Sequence, residues 1–144
     1  MNVKQYPAVV IHSLAQGRKV LASGQPATLL SPRGAALFAG TLWWHALLKC
    51  LREKAPQIPM HDILDCADAS GLALGALRIG QRNIVLDPTA PGWASVTAIA
   101  ASLGGEVLTI RPPALDMSDP GDVRRLQDWL QGHTAPGDTD HAVS

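Results

Sequence analysis

The sequence predicts an α/β protein built on a parallel sheet. Three observations carry this. Short apolar runs alternate with helical runs, five times along the chain. Runs such as Val9-Val10-Ile11 and Ile84-Val85-Leu86 are continuous, which is the pattern of strands covered on both faces. The joints between runs carry the Ser, Asp, Pro and Gly residues that start and stop helices.

Each element has its own reason. Ala8 to Ile11 is the first strand. Ser13, with Gln16 three residues on, reads as a capping box for a helix that runs to about Ser23, before Gly24. Ala27 to Leu30 is the second strand. Ser31-Pro32-Arg33-Gly34 turns into a helix of nearly five turns, on which Leu42, Trp43, Ala46, Leu47, Cys50 and Leu51 recur at helical spacing as the expected buried face. Pro56 and Pro59 end it. His61 to Cys66 is the third strand. Asp68 or Ser70 fits the cap of a helix from Gly71 to Ile79, stopped at Gly80. Asn83 to Asp87 is the fourth strand. Pro91 suits a first helical turn, and that helix runs to Leu103 before Gly104-Gly105. Glu106 to Ile110 is the fifth strand. Asp119-Pro120 caps a last helix over roughly 121–131. One α/β domain is expected over 3–131, with a polar, Gly/Pro-bearing and disordered tail over 132–144.

Crossovers between parallel strands are right-handed. In a strict 1-2-3-4-5 strand order they put every helix on one face and leave the other bare. One solution is a single reversal of order, giving a flavodoxin-like or Rossmann-like three-layer sandwich of five strands in the order 2-1-3-4-5. The alternative is half of a TIM barrel whose open face is buried in a dimer. The first is favoured because it needs no partner.

Composition excludes several function classes. Of 144 residues, 47% are hydrophobic and 17% charged, so the chain can bury a core. Lys+Arg and Asp+Glu are both 12. No basic stripe marks a nucleic-acid surface, and no apolar run reaches membrane-span length. Balanced charge with four Trp favours self-association, read as a homodimer. Trp43 and Trp44 lie about 100° apart on one helix, so one of them points outward and marks the interface. Cys50 and Cys66 form no Cys-x-x-Cys pair and no disulfide framework. With no charged-then-apolar leader pattern, a cytoplasmic location is expected. No metal and no organic cofactor is demanded by any spacing.

Candidate functional residues gather at strand ends, where open α/β sheets place their ligands. Asp65 and Asp68 fit a general acid/base pair, and equally a turn acceptor and a helix cap. Cys66 fits a nucleophile near a helix start, and equally a small buried residue. Ser31, Arg33 and Gly34 fit an anion-binding turn, and equally an ordinary strand-to-helix joint. His12 fits a base or ligand, or a hydrogen-bonded residue before a cap. Asp87 and Thr89 end a strand and start a helix, and could line the site. Arg111 fits an anion at the fifth strand end, although Pro112-Pro113 suggests that the chain leaves the sheet there.

From Ala8 to about Asp87 the sequence resembles the N-terminal half of the class II, zinc-dependent fructose-bisphosphate aldolases, in degenerate and truncated form. Val10-Ile11-His12-Ser13-Leu14-Ala15-Gln16 resembles that family's first strand. Ser31-Pro32-Arg33-Gly34-Ala35 with Ala39-Gly40 resembles its second strand and Gly-rich turn. Ile63-Leu64-Asp65-Cys66-Ala67-Asp68 resembles its Leu-Asp-His-Gly strand, and Arg78-Ile79-Gly80 with Ile84-Val85-Leu86-Asp87 the helix end and strand that follow. The resemblance implies that Asp65 stands where the family's proton donor and acceptor stands. It also implies a zinc ligand at position 66, where this chain has Cys in place of His, and Ala67 replaces the Gly. The family's other zinc ligands come from later strands that have no counterpart here. Two function classes follow. The favoured one is a non-catalytic, aldolase-like module that binds a small anionic metabolite or a protein partner at the strand carboxyl ends. The other is a small lyase or isomerase that uses Asp65, with Cys66 or Asp68, for proton transfer on a carbonyl or phosphorylated substrate.

Overall fold

The computed structural model describes residues 6–132. Beyond Gly132, the expected tail lies outside the described residues. The elements are β1 (Ala8–Val10), α1 (Leu14–Leu21), β2 (Ala27–Leu30), α2 (Ala35–Phe38), α3 (Thr41–Lys54), β3 (Met60–Asp65), α4 (Ser70–Arg78), β4 (Asn83–Val85), α5 (Trp93–Ser102), β5 (Glu106–Leu108), β6 (Ala114–Asp116), α6 (Pro120–Arg124) and α7 (Leu126–Leu130). The expected parallel α/β sheet with packed helices is present.

Local chemistry explains the boundaries. Ser13 Oγ accepts from the Gln16 N–H at 3.2 Å and caps α1 as expected, while Gln16 Oε1 reaches back one residue past the cap and accepts from the His12 N–H at 2.7 Å. Asp119 accepts from the N–H groups of Gly121 and Asp122, with Pro120 in the first turn of α6. Three expectations are corrected. The long helix after the second strand is two helices, because Gly40 at φ +90° breaks the run between α2 and α3. Neither Asp68 nor Ser70 caps α4, whose cap residue is Ala69 with no side-chain bond. The buried face of α3 is Trp44, Leu47, Leu48 and Leu51, while Leu42, Ala46 and Cys50 are exposed and Trp43 is half-buried. Trp44 is therefore the inward tryptophan, at i, i+3, i+4, i+7 with the leucines.

The sheet has six strands in place of five, all parallel, in the order β5-β4-β3-β2-β1-β6. Pro112-Pro113 leads into β6, paired with β1 through Val9 and Leu115, and does not take the chain out of the sheet. The flavodoxin-like order 2-1-3-4-5 is absent, and β1 to β5 follow one another in space. By right-handedness their crossover helices share one face. Side chains agree. One large core joins Val9, Leu29, Leu64 and Ile84 to apolar residues of α1 to α5 and α7. The alternate strand residues Val10, Leu30, Ile63, Val85 and Leu108 form a second, smaller core on the opposite face.

The connection from β5 to β6 passes over part of that second face, against which Ala114 packs. From Leu108 to Ala114 there are six Cα steps, which reach about 20 Å at most. In a flat sheet β5 and β6, at opposite edges, would stand about 24 Å apart across five strand spacings of ~4.8 Å. The sheet is therefore curled, and residues 109–113 cross its concave side. Arg111 in this connection reaches Asp65 on β3 at 2.8 Å. At the other end of the same face the Tyr6 ring stacks on His61 with centroids 4.7 Å apart. Three layers result: helices, sheet, and this cover.

Candidate functional site

At the carboxyl ends of β3 and β4 lies a cleft of about 560 Å³. Its chemistry comes from Arg33, Asp65, Asp68, Asp87 and Arg111, and its floor includes Gly34, Ala67 and Val85. The two turns that follow β2 and β3 meet here. Gly34 has φ +64° and Ala67 has φ +52°, and a Cβ on Gly34 would stand 3.9 Å from that of Ala67.

Asp65 is the centre of the bonding. Its side chain lies on the concave face with Ile63, because β3 residues alternate faces. Its backbone N–H donates to Ser31 Oγ at 2.9 Å. Its Oδ1 accepts from the Ala67 N–H at 2.9 Å, and its Oδ2 accepts from Arg111 Nη1 at 2.8 Å. The carboxylate is buried, with 6% of its side chain exposed. Asp87 is fully exposed. The Thr89 N–H and then the Thr89 hydroxyl, both bonded to its Oδ1, hold its carboxyl below the ordinary carboxylate range. Arg33 and Asp68 are exposed and engage no partner among the described residues.

Asp65, Asp68, Arg33, Gly34 and Asp87 thus meet in one cleft. Ser31 and Thr89 stand one step behind it: Ser31 is buried and positions the Asp65 backbone, and Thr89 fixes Asp87. His12 lies apart from the cleft. Its Nε2 is 2.9 Å from Asp116 Oδ1. Partial burial pushes Asp116 up, but the Ser118 hydroxyl and N–H and the His12 ring together hold it below the ordinary range. Cys66 also lies apart. It faces the helix-side core with no exposed surface, and burial, with the Asp65 charge beside it, pushes the thiol up to about 12. It is a neutral core side chain, not a thiolate at the cleft. Arg111 was legible only as a cation at a strand end; its place over the sheet depends on β6.

Among the described residues, no three His, Cys, Asp or Glu side chains converge so as to hold a metal ion. The Cys66 sulfur, which the resemblance would make a zinc ligand, faces the helix-side core and not the three cleft carboxylates. The donor set does not fit a catalytic zinc, which takes three protein ligands and an open position. No described helix is long and apolar enough to cross a membrane.

No protein-family model matches the chain. Over 83 residues it is 30% identical to fructose-bisphosphate aldolase 1 of Cereibacter sphaeroides, a stretch that makes up 56% of this chain and 23% of that protein. The chain is aldolase-like over that stretch, and it spans about a quarter of the relative's length.

Proposed function

We propose that this chain is a non-catalytic, aldolase-like binding module, related to the class II branch, whose cleft takes a small polyhydroxylated metabolite with one anionic group. The observation that carries this is the engagement of Asp65. A proton-transfer residue needs access to substrate, whereas Asp65 is buried and each of its oxygens already accepts a hydrogen bond, from the Ala67 N–H and from the Arg111 guanidinium. Arg33 stands unpartnered beside it and supplies a charge-assisted donor for a phosphate or carboxylate. Asp68 and Asp87 are exposed acceptors for hydroxyls. Arg111 is paired with Asp65, so Arg33 is the one cation left for a ligand, and with Asp68 and Asp87 beside it the cleft suits hydroxyls with a single anionic group and not a bare polyanion.

Titration calorimetry with glycerol 3-phosphate tests the reading. Saturable binding is expected, weakened about tenfold or more in Arg33→Ala, which is ~1.5 kcal/mol or more for a charged hydrogen bond. The enzyme reading is favoured by one fact, the presence of Asp65, Asp68 and Asp87 in one cleft. Turnover of a phosphorylated carbonyl compound that disappears in Asp65→Asn would replace the binding reading with it.

A further inference from the structure

A cavity larger than the cleft lies at the opposite end of the sheet, where nothing in the aldolase likeness points. It encloses about 700 Å³ between the second half of α3, the start of β3 and the turn that enters β4. Its position follows from the fold. α3 packs across β3, and the residues before β4 fold back under the helix.

The lining is ordered by chemistry. Leu48 and Met60 form an apolar wall. Lys49, Arg52 and Arg82 stand around it. Arg52 is paired with Asp62, so its charge is already matched. Lys49 and Arg82 engage no partner among the described residues and face only Glu53 as an unmatched acid, leaving one positive charge in excess. Gln81 lines the same cavity and is 8% exposed. Its Nε2 donates to Asp62 Oδ1 at 2.7 Å and to the Asn83 carbonyl at 2.8 Å. These bonds fix the amide and leave its oxygen without a donor. A concave apolar site with a few oriented polar groups, of this size, is what small-molecule sites share.

We infer that this cavity is a second ligand site, independent of the cleft, for a small organic anion with a flat apolar body. The body lies against Leu48 and Met60. The anionic head meets Lys49 and Arg82. A donor on the ligand meets the free Gln81 oxygen. A bare inorganic ion leaves the apolar wall wet, and a neutral aromatic leaves the two cations unmatched, so each half alone binds worse than the whole.

The test is amide chemical-shift titration of the full chain with phenyl phosphate, and separately with inorganic phosphate and phenol. Phenyl phosphate is expected to shift Leu48, Lys49 and Gln81 saturably, at least tenfold more tightly than inorganic phosphate. The Lys49→Ala/Arg82→Ala double variant is expected to lose at least tenfold in affinity. Both substitutions are on exposed side chains, and an unchanged amide spectrum away from the site checks the fold. Arg33→Ala, at the cleft, is expected to leave the affinity unchanged. Three results would overturn the inference: shifts confined to Asp65, Asp87 and Arg111; an equal affinity for inorganic phosphate; or wild-type affinity in the double variant.

Discussion

Ala67 holds a left-handed backbone, φ +52°, at the turn that closes the cleft. Its N–H is fixed by Asp65 Oδ1 and its carbonyl accepts from the Asp87 N–H at 2.8 Å, so the turn cannot relax. An L-residue with a Cβ is strained there and glycine is not. Ala67→Gly is expected to stabilise the protein by about 1 kcal/mol, read from the urea midpoint at constant slope. A lower midpoint would mean that the methyl contributes packing that outweighs the strain. Cys66 gives a second expectation. Its thiol has a folded-state pKa of about 12 against an ordinary 9.0. The neutral thiol is thus favoured by folding, and its contribution is complete below pH 9 and lost as pH rises toward 12. Relative to Cys66→Ala, the wild type should lose stability by about 1.4 kcal/mol per pH unit in that window. Parallel curves for the two proteins would show that the thiol ionises freely. Asp65 faces the cleft and Cys66 the helix-side core, which separates two residues that the sequence alone left together as a candidate pair. The strand-end carboxylates were legible, because polar groups at the carboxyl end of an apolar strand stand out. The pairing of Asp65 was not, because Arg111 is 46 residues away in sequence.

At the scale of elements, the caps were readable and the helix faces only in part. Ser13 and Asp119 start their helices as their side chains require. On α3, the spacing predicts a face through Leu42, Trp43, Ala46 and Cys50, whereas the buried face is turned to Trp44, Leu47, Leu48 and Leu51. Leu42 and Phe38 are each 69% exposed and Leu37 is 57% exposed, so an apolar edge runs from α2 onto the start of α3. With zero formal net charge, this edge is the surface on which the homodimer expected from composition would form. Sedimentation velocity at tens of micromolar is expected to give a dimer, and Leu42→Glu to give a monomer. A monomeric wild type removes the dimer. Deep in the same helix, Trp44→Ala is expected to cost about 3–5 kcal/mol as a cavity-forming change.

The whole molecule turns on how a sheet with all its crossover helices on one side hides the other side. Right-handed connections were enough to pose this problem from sequence, and two solutions were visible: a reversed strand order, or a partner. The chain uses a third. Residues 109–113 cross the concave face and deliver β6 to the far edge beside β1. Three-residue strands such as Ala114–Asp116 carry almost no periodic signal, and Pro112-Pro113 in front of it reads as an exit. What pins the crossing is the Arg111–Asp65 pair, with only 12% and 6% of the two side chains exposed. Removing one member of such a pair leaves an unmatched buried charge, whereas replacing both can be nearly neutral. Arg111→Ala is therefore expected to destabilise by about 3 kcal/mol or more. The double variant Asp65→Asn/Arg111→Met keeps an oxygen for the Ala67 N–H and an apolar stem over the sheet. It is expected to regain most of that loss. Urea unfolding of the two variants and the wild type measures both quantities. A cost below about 1 kcal/mol in Arg111→Ala, the range of an exposed pair, would mean that the small core of Val10, Leu30, Ile63, Val85 and Leu108 holds the crossing segment without the ion pair.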